Sequence, residues 1–307
     1  MSKNFSLILI NFLFIKFILM SFYPAKTKKD YLLCRLRNRD DVIYYKNIKK
    51  ALISKGWLDE NNNLTKMGWL IAASSCPLKE QCRILNIPYN KIRLKRKNKK
   101  PEFDVLNHFF DNGWKGCFSE GGIIFILLEC IWYDTLKKYL IKEQKKYSMF
   151  KDADYKEVEN YVKVSYLYNA KCYLHVIRNF DIKVELLNDI TNSNINNILE
   201  KYYIMKKSNT PYWFPYDYHY IDSYLIERLY SLSEIEQLLM FADIHLTGFN
   251  GFIESTGFHD LFLTDGKTMK FIEVKTSDKL QTNQIYQSDI LSNKCGYNVE
   301  VLKVKRI

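Results

Sequence analysis

A strand, turn, strand pattern near the C-terminus constrains the fold of this chain most. His259 to Thr264 predicts a strand, Asp265–Gly266 is the strongest short signal for a hairpin turn, and Met269 to Thr276 predicts the returning strand. Thr282 to Gly296 then has a helical pattern that ends in glycine, and Tyr297 to Ile307 predicts a last strand. The order strand, strand, helix, strand predicts an α/β unit at this end of the chain.

Two charged residues lie inside the second strand of this pattern. Glu273 and Lys275 are on the same face as Phe271, because side chains of a strand alternate with a period of two. Asp260 begins the preceding strand, so two carboxylates and an ammonium group converge. Such an oxygen-rich pocket suits Mg²⁺ or Mn²⁺, and a lysine beside metal-bound water can handle a proton or stabilise charge. The alternative is a salt bridge on a half-exposed hairpin, worth at most about 1 kcal/mol, and the E-x-K spacing alone favours that alternative.

Composition places the chain among globular proteins. Its 307 residues suffice for one large or two ordinary domains, and the 47% of hydrophobic residues supports a substantial core. Lysine and arginine outnumber aspartate and glutamate by 46 to 34, so the net charge is +12, which favours nucleic acid or an anionic membrane as partner. A lysine-rich proteome would explain the same charge without such a partner. The seven cysteines form no CxxC pair, and we expect reduced, buried thiols in an intracellular protein.

Residues 1–23 form a separate apolar segment. Leu7 to Phe22 is almost wholly apolar, but Lys16 interrupts the stretch, and it is shorter than the ~20 residues of a membrane-spanning helix. The sequence that follows offers no clean signal-peptide cleavage site. Three interpretations stay open: a membrane anchor, a poor signal sequence, or a non-native start with Met20 as the working initiator. We expect a cytoplasmic protein, with a membrane-anchored or exported form as the alternative.

The region 26–100 has the pattern of a helical, basic module. Apolar residues at helical spacing run from Ile43 to Ile53 and stop at Gly56, and Thr65 can cap the next helix. This arrangement fits either the end of a winged-helix domain or a plain helical hairpin. Seven of the ten residues from Lys91 to Lys100 are basic, which is typical of a solvated linker and also suits contact with a phosphate backbone.

The middle of the chain, residues 101–240, is predicted to be mostly helical. Gly113 to Leu136 opens as a glycine-containing loop and continues as a strongly apolar helix, whose pattern predicts burial on nearly all sides. Glu120 lies at the junction, where it is either stabilised by the helix dipole or directed at a site, and its spacing alone favours the dipole. The aromatic stretch Thr210 to Tyr220 could stack on bases, although such stretches more often cover a core.

The segment from Gly257 to Val304 contains an ordered set of motifs: G-x-x-D-L at Gly257 to Leu261, E-V-K at Glu273 to Lys275, D-x-L at Asp278 to Leu280, Gln284, and G-x-x-V-E-V at Gly296 to Val301. With these motifs the segment resembles the VRR-NUC domain of the PD-(D/E)xK nuclease superfamily along its whole length. Less extensively, the E-G at Glu120 and Gly121, ahead of an apolar helix, is similar to nucleases of the Fanconi-associated nuclease type.

This resemblance implies a restriction-endonuclease-like α/β core, a mixed sheet flanked by helices, within residues 241–307. Lys275 would orient or deprotonate the attacking water, and Gln284 would contact metal-bound water or phosphate from the following helix. The cofactor would be Mg²⁺ or Mn²⁺, with no small-molecule cofactor. Its implied ligands are Asp260, Glu273, the backbone carbonyl of Val274, and Glu120.

The chain departs from the family pattern at two positions. His259 stands where the family usually has proline before the metal-binding aspartate, and Gln287 stands where an aromatic residue is common. Because neither residue belongs to the implied catalytic set, we expect a metal-dependent, structure-selective DNA nuclease acting in repair, recombination or mobile-element processing. Its partner would be branched, flapped or end-containing DNA, and the small relatives imply a homodimer. The alternative is a catalytically weak DNA-binding protein that retains the fold.

Overall fold

The computed structural model describes residues 28–37, 46–144, 182–207, 221–247, 256–276 and 279–307. The chain divides into two compact units, residues 1–81 and 82–307. Three features discussed above lie outside the described residues: the apolar segment Leu7 to Phe22, the aromatic stretch Thr210 to Tyr220, and Asp278. In the part of the chain that is described, no helix is both long and apolar enough to cross a membrane.

The described part of the first unit is built of helices. The predicted cap is confirmed, because Thr65 Oγ1 accepts a hydrogen bond of 3.1 Å from the backbone N–H of Gly68. One isolated bridge pairs Leu58 with Leu64 across the turn before this helix. The choice between a winged helix and a helical hairpin stays a prediction. The helices are α1 (Lys28–Leu36), α2 (Lys46–Ser54), α3 (Lys66–Ser74) and α4 (Leu78–Leu85), which continues into the second unit.

A five-stranded mixed sheet organises the second unit, with strand order β1-β5-β4-β3-β2. β4 runs parallel to β5, and β5 parallel to β1, whereas β3 is antiparallel to both β4 and β2. The predicted hairpin and last strand are confirmed as β3, β4 and β5. The strands are β1 (Tyr89–Leu94), β2 (Lys115–Phe118), β3 (Leu261–Thr264), β4 (Met269–Lys275) and β5 (Val299–Arg306).

Helices flank this sheet, as an α/β restriction-endonuclease-like core requires. The apolar α6 is buried from Ile123 to Cys130, as its pattern predicted. The helix predicted after β4 forms as α11, followed by a π-helical turn (Asp289–Lys294). The helices are α5 (Pro101–Asp111), α6 (Gly122–Gln144), α7 (Lys183–Thr191), α8 (Ile195–Lys207), α9 (Ser223–Leu232), α10 (Ile235–Thr247) and α11 (Thr282–Ser288).

Alternation along the strands assigns each side chain to one face of the sheet. Ile272 and Val274 of β4 pack with Val105 and Leu106 of α5 in one apolar cluster, so α5 covers this face. Phe271, on the other face, contacts the ring of Tyr297. Glu273 and Lys275 share the face of Phe271, as the sequence predicted.

The sheet draws on more of the chain than the sequence analysis assigned to the core. β1 and β2 lie far ahead of residue 241, so the sheet extends beyond the range 241–307. The run from Lys91 to Lys100 is not simply a solvated linker, because Lys91 to Leu94 belongs to β1 and pairs with β5. Sequence patterns missed this pairing because β1 and its partner are distant in the chain, and local periodicity carries no information about non-local partners.

Candidate active site

The β3–β4 hairpin places Asp260 opposite Glu273. Leu261 pairs with Ile272 in antiparallel register, so the residue before Leu261 lies across from the residue after Ile272. The backbone N–H of Val274 donates a hydrogen bond of 2.8 Å to Asp260 Oδ2, which fixes this carboxylate against β4. Because the N–H and C=O of one residue in an extended strand point to the same side, the carbonyl of Val274 is directed toward the side on which Asp260 lies.

Glu273, Lys275 and Gln284 form one interlocked polar group. Lys275 Nζ lies 3.0 Å from Glu273 Oε1, and it donates a hydrogen bond of 3.0 Å to Gln284 Oε1. Gln284 Nε2 donates in turn to Glu273 Oε1 at 2.6 Å. Glu273 is 1% exposed and Lys275 5%. The Glu273–Lys275 pair is therefore buried, not the half-exposed surface ion pair that spacing alone favoured.

Gln284 reaches this group because α11 begins close to the segment that leads into β3. A Cβ atom added to Gly257 would lie 2.6 Å from the backbone carbon of Asn283 and 2.7 Å from the nitrogen of Gln284, so only glycine fits there. Gln284 Oε1 also accepts a hydrogen bond of 3.0 Å from the N–H of Gln281, which caps the helix. Gly257, the glycine of the G-x-x-D-L motif, thus permits the close approach of α11 to the site.

A tight connection between β2 and α6 brings Glu120 toward Asp260. The carbonyl oxygen of Asp260 accepts hydrogen bonds from the N–H groups of Ser119, at 3.0 Å, and Glu120, at 3.3 Å. Glu120 and Gly121 have φ angles of +44° and +77°, and α6 begins only at Gly122. The Glu120 side chain is exposed and precedes the helix, so it does not lie in the first helical turn as a dipole-stabilised residue would.

Glu102 is a further acidic residue at this site, and the sequence analysis did not identify it. It lies in the first turn of α5, and its Oε2 is buried without a hydrogen-bond partner among the described residues. Its charge acts on Asp260. The acidic first turn after Pro101 resembles ordinary helix-dipole stabilisation, so only the packing of α5 on the sheet reveals the proximity of Glu102 to Asp260.

Asp260 carries the clearest electrostatic sign of a site. Burial, together with the nearby charges of Glu102 and Glu120, raises the pKa of Asp260 to about 7, although the Val274 N–H and the Lys275 charge act in the opposite direction. Desolvation contributes most to this rise, so the surroundings of Asp260 disfavour its ionised form. A bound cation would stabilise the ionised carboxylate.

The two departures from the family pattern are both buried. His259 Nε2 lies 3.2 Å from the hydroxyl of Ser288, and burial, with the nearby charge of Lys275, lowers the pKa of His259 to about 3. His259 therefore packs as a neutral ring. Gln287 Oε1 lies 3.3 Å from His245 Nε2 on α10. Both side chains support the helices behind the site.

No protein-family model and no curated protein sequence matches this chain. Solved structures do match it. A crystal structure of paFAN1 bound to DNA with a 2-nucleotide 5′ flap and a gap aligns with a TM-score of 0.52 and 13% sequence identity, over 91% of this chain and 51% of paFAN1. A crystal structure of paFAN1 with a 1-nucleotide 5′ flap and a gap has the same TM-score of 0.52 and 13% identity, over 93% of this chain and 50% of paFAN1.

The chain shares the fold of the part of paFAN1 with which it aligns. It spans about half the length of the paFAN1 chains that it matches. The structural similarity to FAN1 is a similarity of backbone arrangement. The chemistry of this chain follows from its own residues.

The donor atoms around Asp260 and Glu273 fit a hard divalent cation. They are carboxylate and carbonyl oxygens, which Mg²⁺ and Mn²⁺ prefer, and the buried Oε2 of Glu102 adds another. Among the described residues, however, no three metal-binding side chains converge into a ready-made ligand set. Mg²⁺ needs no such set, because it usually binds through one or two carboxylates and keeps several waters or substrate phosphates.

Proposed function

We propose that this protein is a divalent-metal-dependent nuclease of the VRR-NUC group that cleaves DNA phosphodiester bonds according to DNA structure. The observation that carries the proposal is the buried pairing of Glu273 with Lys275, directly across the hairpin from Asp260. A strand gains nothing in packing from two buried charges. An apolar pair of similar size would stabilise the same position at least as well.

Asp260 and Glu273 would hold Mg²⁺ or Mn²⁺, with the Val274 carbonyl, Glu120 and Glu102 completing the binding site. The metal, when bound, activates water and polarises the phosphate. Lys275 donates a hydrogen bond to Gln284 and forms an ion pair with Glu273, and a lysine ammonium offers only donors. We therefore assign Lys275 the role of orienting the attacking water and neutralising charge on the phosphate, rather than that of a base.

Flapped or branched DNA is the substrate that the fold favours. paFAN1, which has the same fold, was crystallised with 5′-flap DNA, and the net charge of +12 supports a polyanionic partner. We place the activity in DNA repair, recombination or mobile-element processing. A homodimer, which the small relatives imply, remains part of this proposal.

The test is cleavage of labelled duplex, 5′-flap, 3′-flap and four-way-junction DNA with Mg²⁺, Mn²⁺ or EDTA. Glu273→Gln and Asp260→Asn keep side-chain volume while removing the charge. The matched control is Glu300→Gln, because Glu300 is also a buried glutamate of this sheet paired with a lysine, Lys270, at 3.3 Å, but it lies on the α5 face. We expect metal-dependent cutting by wild type and the control, and its loss in both site variants.

Metal binding can be measured independently of DNA cleavage. A ligand at one hundred times its Kd stabilises the native state by about 2.7 kcal/mol. Mn²⁺ should therefore raise the melting temperature of wild type and of Glu300→Gln, and raise that of Asp260→Asn little or not at all. An equal shift in all three proteins would place the metal elsewhere.

A second candidate is a DNA-binding protein that retains the fold with weak or no catalysis. It is favoured by the fact that Glu273 Oε1 is already held by Lys275 and Gln284. For such a protein, Asp260→Ala would leave DNA binding and biological activity unchanged. For a nuclease, the same substitution abolishes the activity.

A further inference from the structure

Four basic residues of two neighbouring strands lie side by side next to the candidate site. Lys91 pairs with Lys303, and Arg93 with Lys305, in the parallel register of β1 and β5. We call these four residues the cation grid. β5 also pairs with β4 so that Lys303 lies beside Lys275. Residues in register point to the same face, with neighbouring strands about 4.8 Å apart.

The grid faces away from α5. Ile92 and Val304, which alternate with the grid residues, pack in the cluster under α5, so the grid residues point to the opposite face, which carries Lys275. Three of the four are exposed and Lys303 is half-buried. Val301, one step earlier on this face of β5, is buried. On this face of β5, side chains are therefore buried up to Val301 and become accessible to solvent at the grid.

By itself, the grid lowers the stability of the folded protein. Like charges placed directly opposite each other on neighbouring strands are destabilising. Among the described residues, no carboxylate forms an ion pair with any member of the grid. Lys91 Nζ lies 5.7 Å from the ring centre of Tyr89, the one aromatic contact of the grid within the described ranges. The grid is thus a patch of positive charge that an external anion would stabilise.

Protection of an exposed sheet edge does not account for the grid. Lysine on an edge strand prevents pairing with other chains, and this explains Lys91 and Arg93 on β1. It does not explain Lys303 and Lys305, because β5 lies inside the sheet between β1 and β4. An interior strand has no free edge to protect.

We infer that the cation grid binds the phosphates of a DNA strand where the strand leaves the candidate site; this inference rests on the proposed function. The row Lys275, Lys303, Lys91 leads from the buried ammonium outward across two strand spacings, or about 10 Å. One DNA strand of a duplex carries a charge about every 3.4 Å of helix axis. The grid therefore matches the backbone of a short segment adjoining the scissile phosphate, independent of base sequence.

The test is the salt dependence of DNA binding by the full-length protein in EDTA, with labelled duplex and 5′-flap DNA, between about 50 and 200 mM KCl. Two double variants remove two charges each: Lys303→Gln with Lys305→Gln, and Lys91→Gln with Arg93→Gln. The control pair, Lys267→Gln with Lys294→Gln, removes the same charge from exposed positions outside the grid.

Each lost phosphate contact should reduce the slope of log K against log salt by about 0.9 on duplex DNA and about 0.7 on a single strand. We expect reductions of up to about 1.8 for each grid pair on duplex, and no reduction for the control pair. The melting temperature of the grid variants should equal or exceed that of wild type, because repulsion between neighbouring cations is removed. A structural role would lower it.

Grid variants with the slope of wild type overturn this inference, as does a lowered melting temperature with unchanged binding. Wild-type cleavage, measured in the same preparations with Mn²⁺, tests the proposed function separately. If wild type cuts DNA while the grid variants keep the slope, the nuclease stands and the grid is excluded. If wild type shows a grid-dependent slope but cuts nothing, the grid stands as a DNA-binding surface, and both the nuclease and the link to a scissile phosphate are excluded.

Discussion

Gln284 connects the charged residues of β4 with the start of α11. Its oxygen accepts hydrogen bonds from Lys275 and from the N–H of Gln281, and its nitrogen donates to Glu273. One side chain thereby caps the helix and holds two groups of the candidate site in place. A group fixed in this way needs no reorganisation when substrate binds.

Gln284→Leu should reduce kcat/KM on the preferred DNA substrate by about 10- to 100-fold, as is typical when a partner of metal-ligating residues is removed. The control is Gln287→Leu on the same helix, since Gln287 is buried beside His245, behind the site. We expect Gln287→Leu to lower the melting temperature and leave kcat/KM nearly unchanged. Equal loss of activity in the two variants would argue for a purely structural role of Gln284.

Gly121 combines a left-handed backbone conformation with a close neighbouring side chain. Its φ is +77°, and an added Cβ would lie 2.4 Å from Cβ of Phe258. Gly121→Ala should lower the free energy of unfolding by about 2–5 kcal/mol, from the left-handed backbone and the overlap together. Gly113 has φ of +83° with no atom within 4 Å of the added Cβ, so Gly113→Ala should cost only about 1–2 kcal/mol. Urea unfolding of both variants measures the difference, and equal losses would contradict steric overlap at Gly121.

At the scale of elements, Asp104 fastens α5 and the preceding loop to the end of β5. Its carboxylate accepts hydrogen bonds from the N–H and side-chain amide of Asn98, at 2.9 and 2.8 Å, and from the N–H of Lys97, at 3.2 Å. Arg306 lies 3.0 Å from its other oxygen. These contacts hold the first turn of α5, with Glu102, near the end of the sheet at which β4 and β5 terminate. Asp260 lies at the same end.

This carboxylate makes stability depend on pH. Burial by itself would raise the pKa of Asp104, but the hydrogen bonds from Asn98 and Lys97 and the charge of Arg306 outweigh it, so the pKa is lowered in the folded protein. The native state then binds fewer protons than the unfolded state, and the stabilisation is present above about pH 4 and lost as the pH falls below it.

Asp104→Asn should therefore cost about 1.5–3 kcal/mol at pH 7, the range for hydrogen bonds to charged groups, and progressively less as the pH falls below about 4. Urea unfolding from pH 2 to 7 measures this convergence. Asp111→Asn, an exposed change at the other end of the helix, should stay within about 0.5 kcal/mol of wild type. Parallel curves for Asp104→Asn and wild type at all pH values would refute the argument.

At the scale of the whole molecule, the sheet and every residue proposed for the site lie in the second unit, residues 82–307. A fragment of residues 77–307, which keeps α4 intact, should therefore unfold in one cooperative transition and retain metal-dependent cleavage of short DNA. Circular dichroism and the cleavage panel test this prediction. A fragment that folds but cannot cut would show that the first unit contributes to catalysis.

The sequence pattern near the C-terminus predicted β3, β4, α11 and β5 of this unit. The alternation in β4, the Asp265–Gly266 turn and the glycine at the end of the following helix are local signals, because they arise from backbone preferences and from the burial of one face. They placed Glu273 and Lys275 on one face and Asp260 at the beginning of the neighbouring strand. The structure confirms the shared face of Glu273 and Lys275, and it has Asp260 immediately before β3, across from Glu273. The metal and the activity stay predictions.

Tertiary structure alone decided which distant segments complete the sheet and the site. β1 joins β5 through backbone hydrogen bonds, whose donors and acceptors are the same in every sequence, so the basic run from Lys91 gave no sign of its partner. Glu102 approaches Asp260 only because the apolar face of α5 packs on the sheet. Local sequence therefore determined β3, β4, β5 and the two central carboxylates. The position of Glu102 near Asp260, and of the basic residues of β1 beside β5, depended on packing between segments that are remote in the chain.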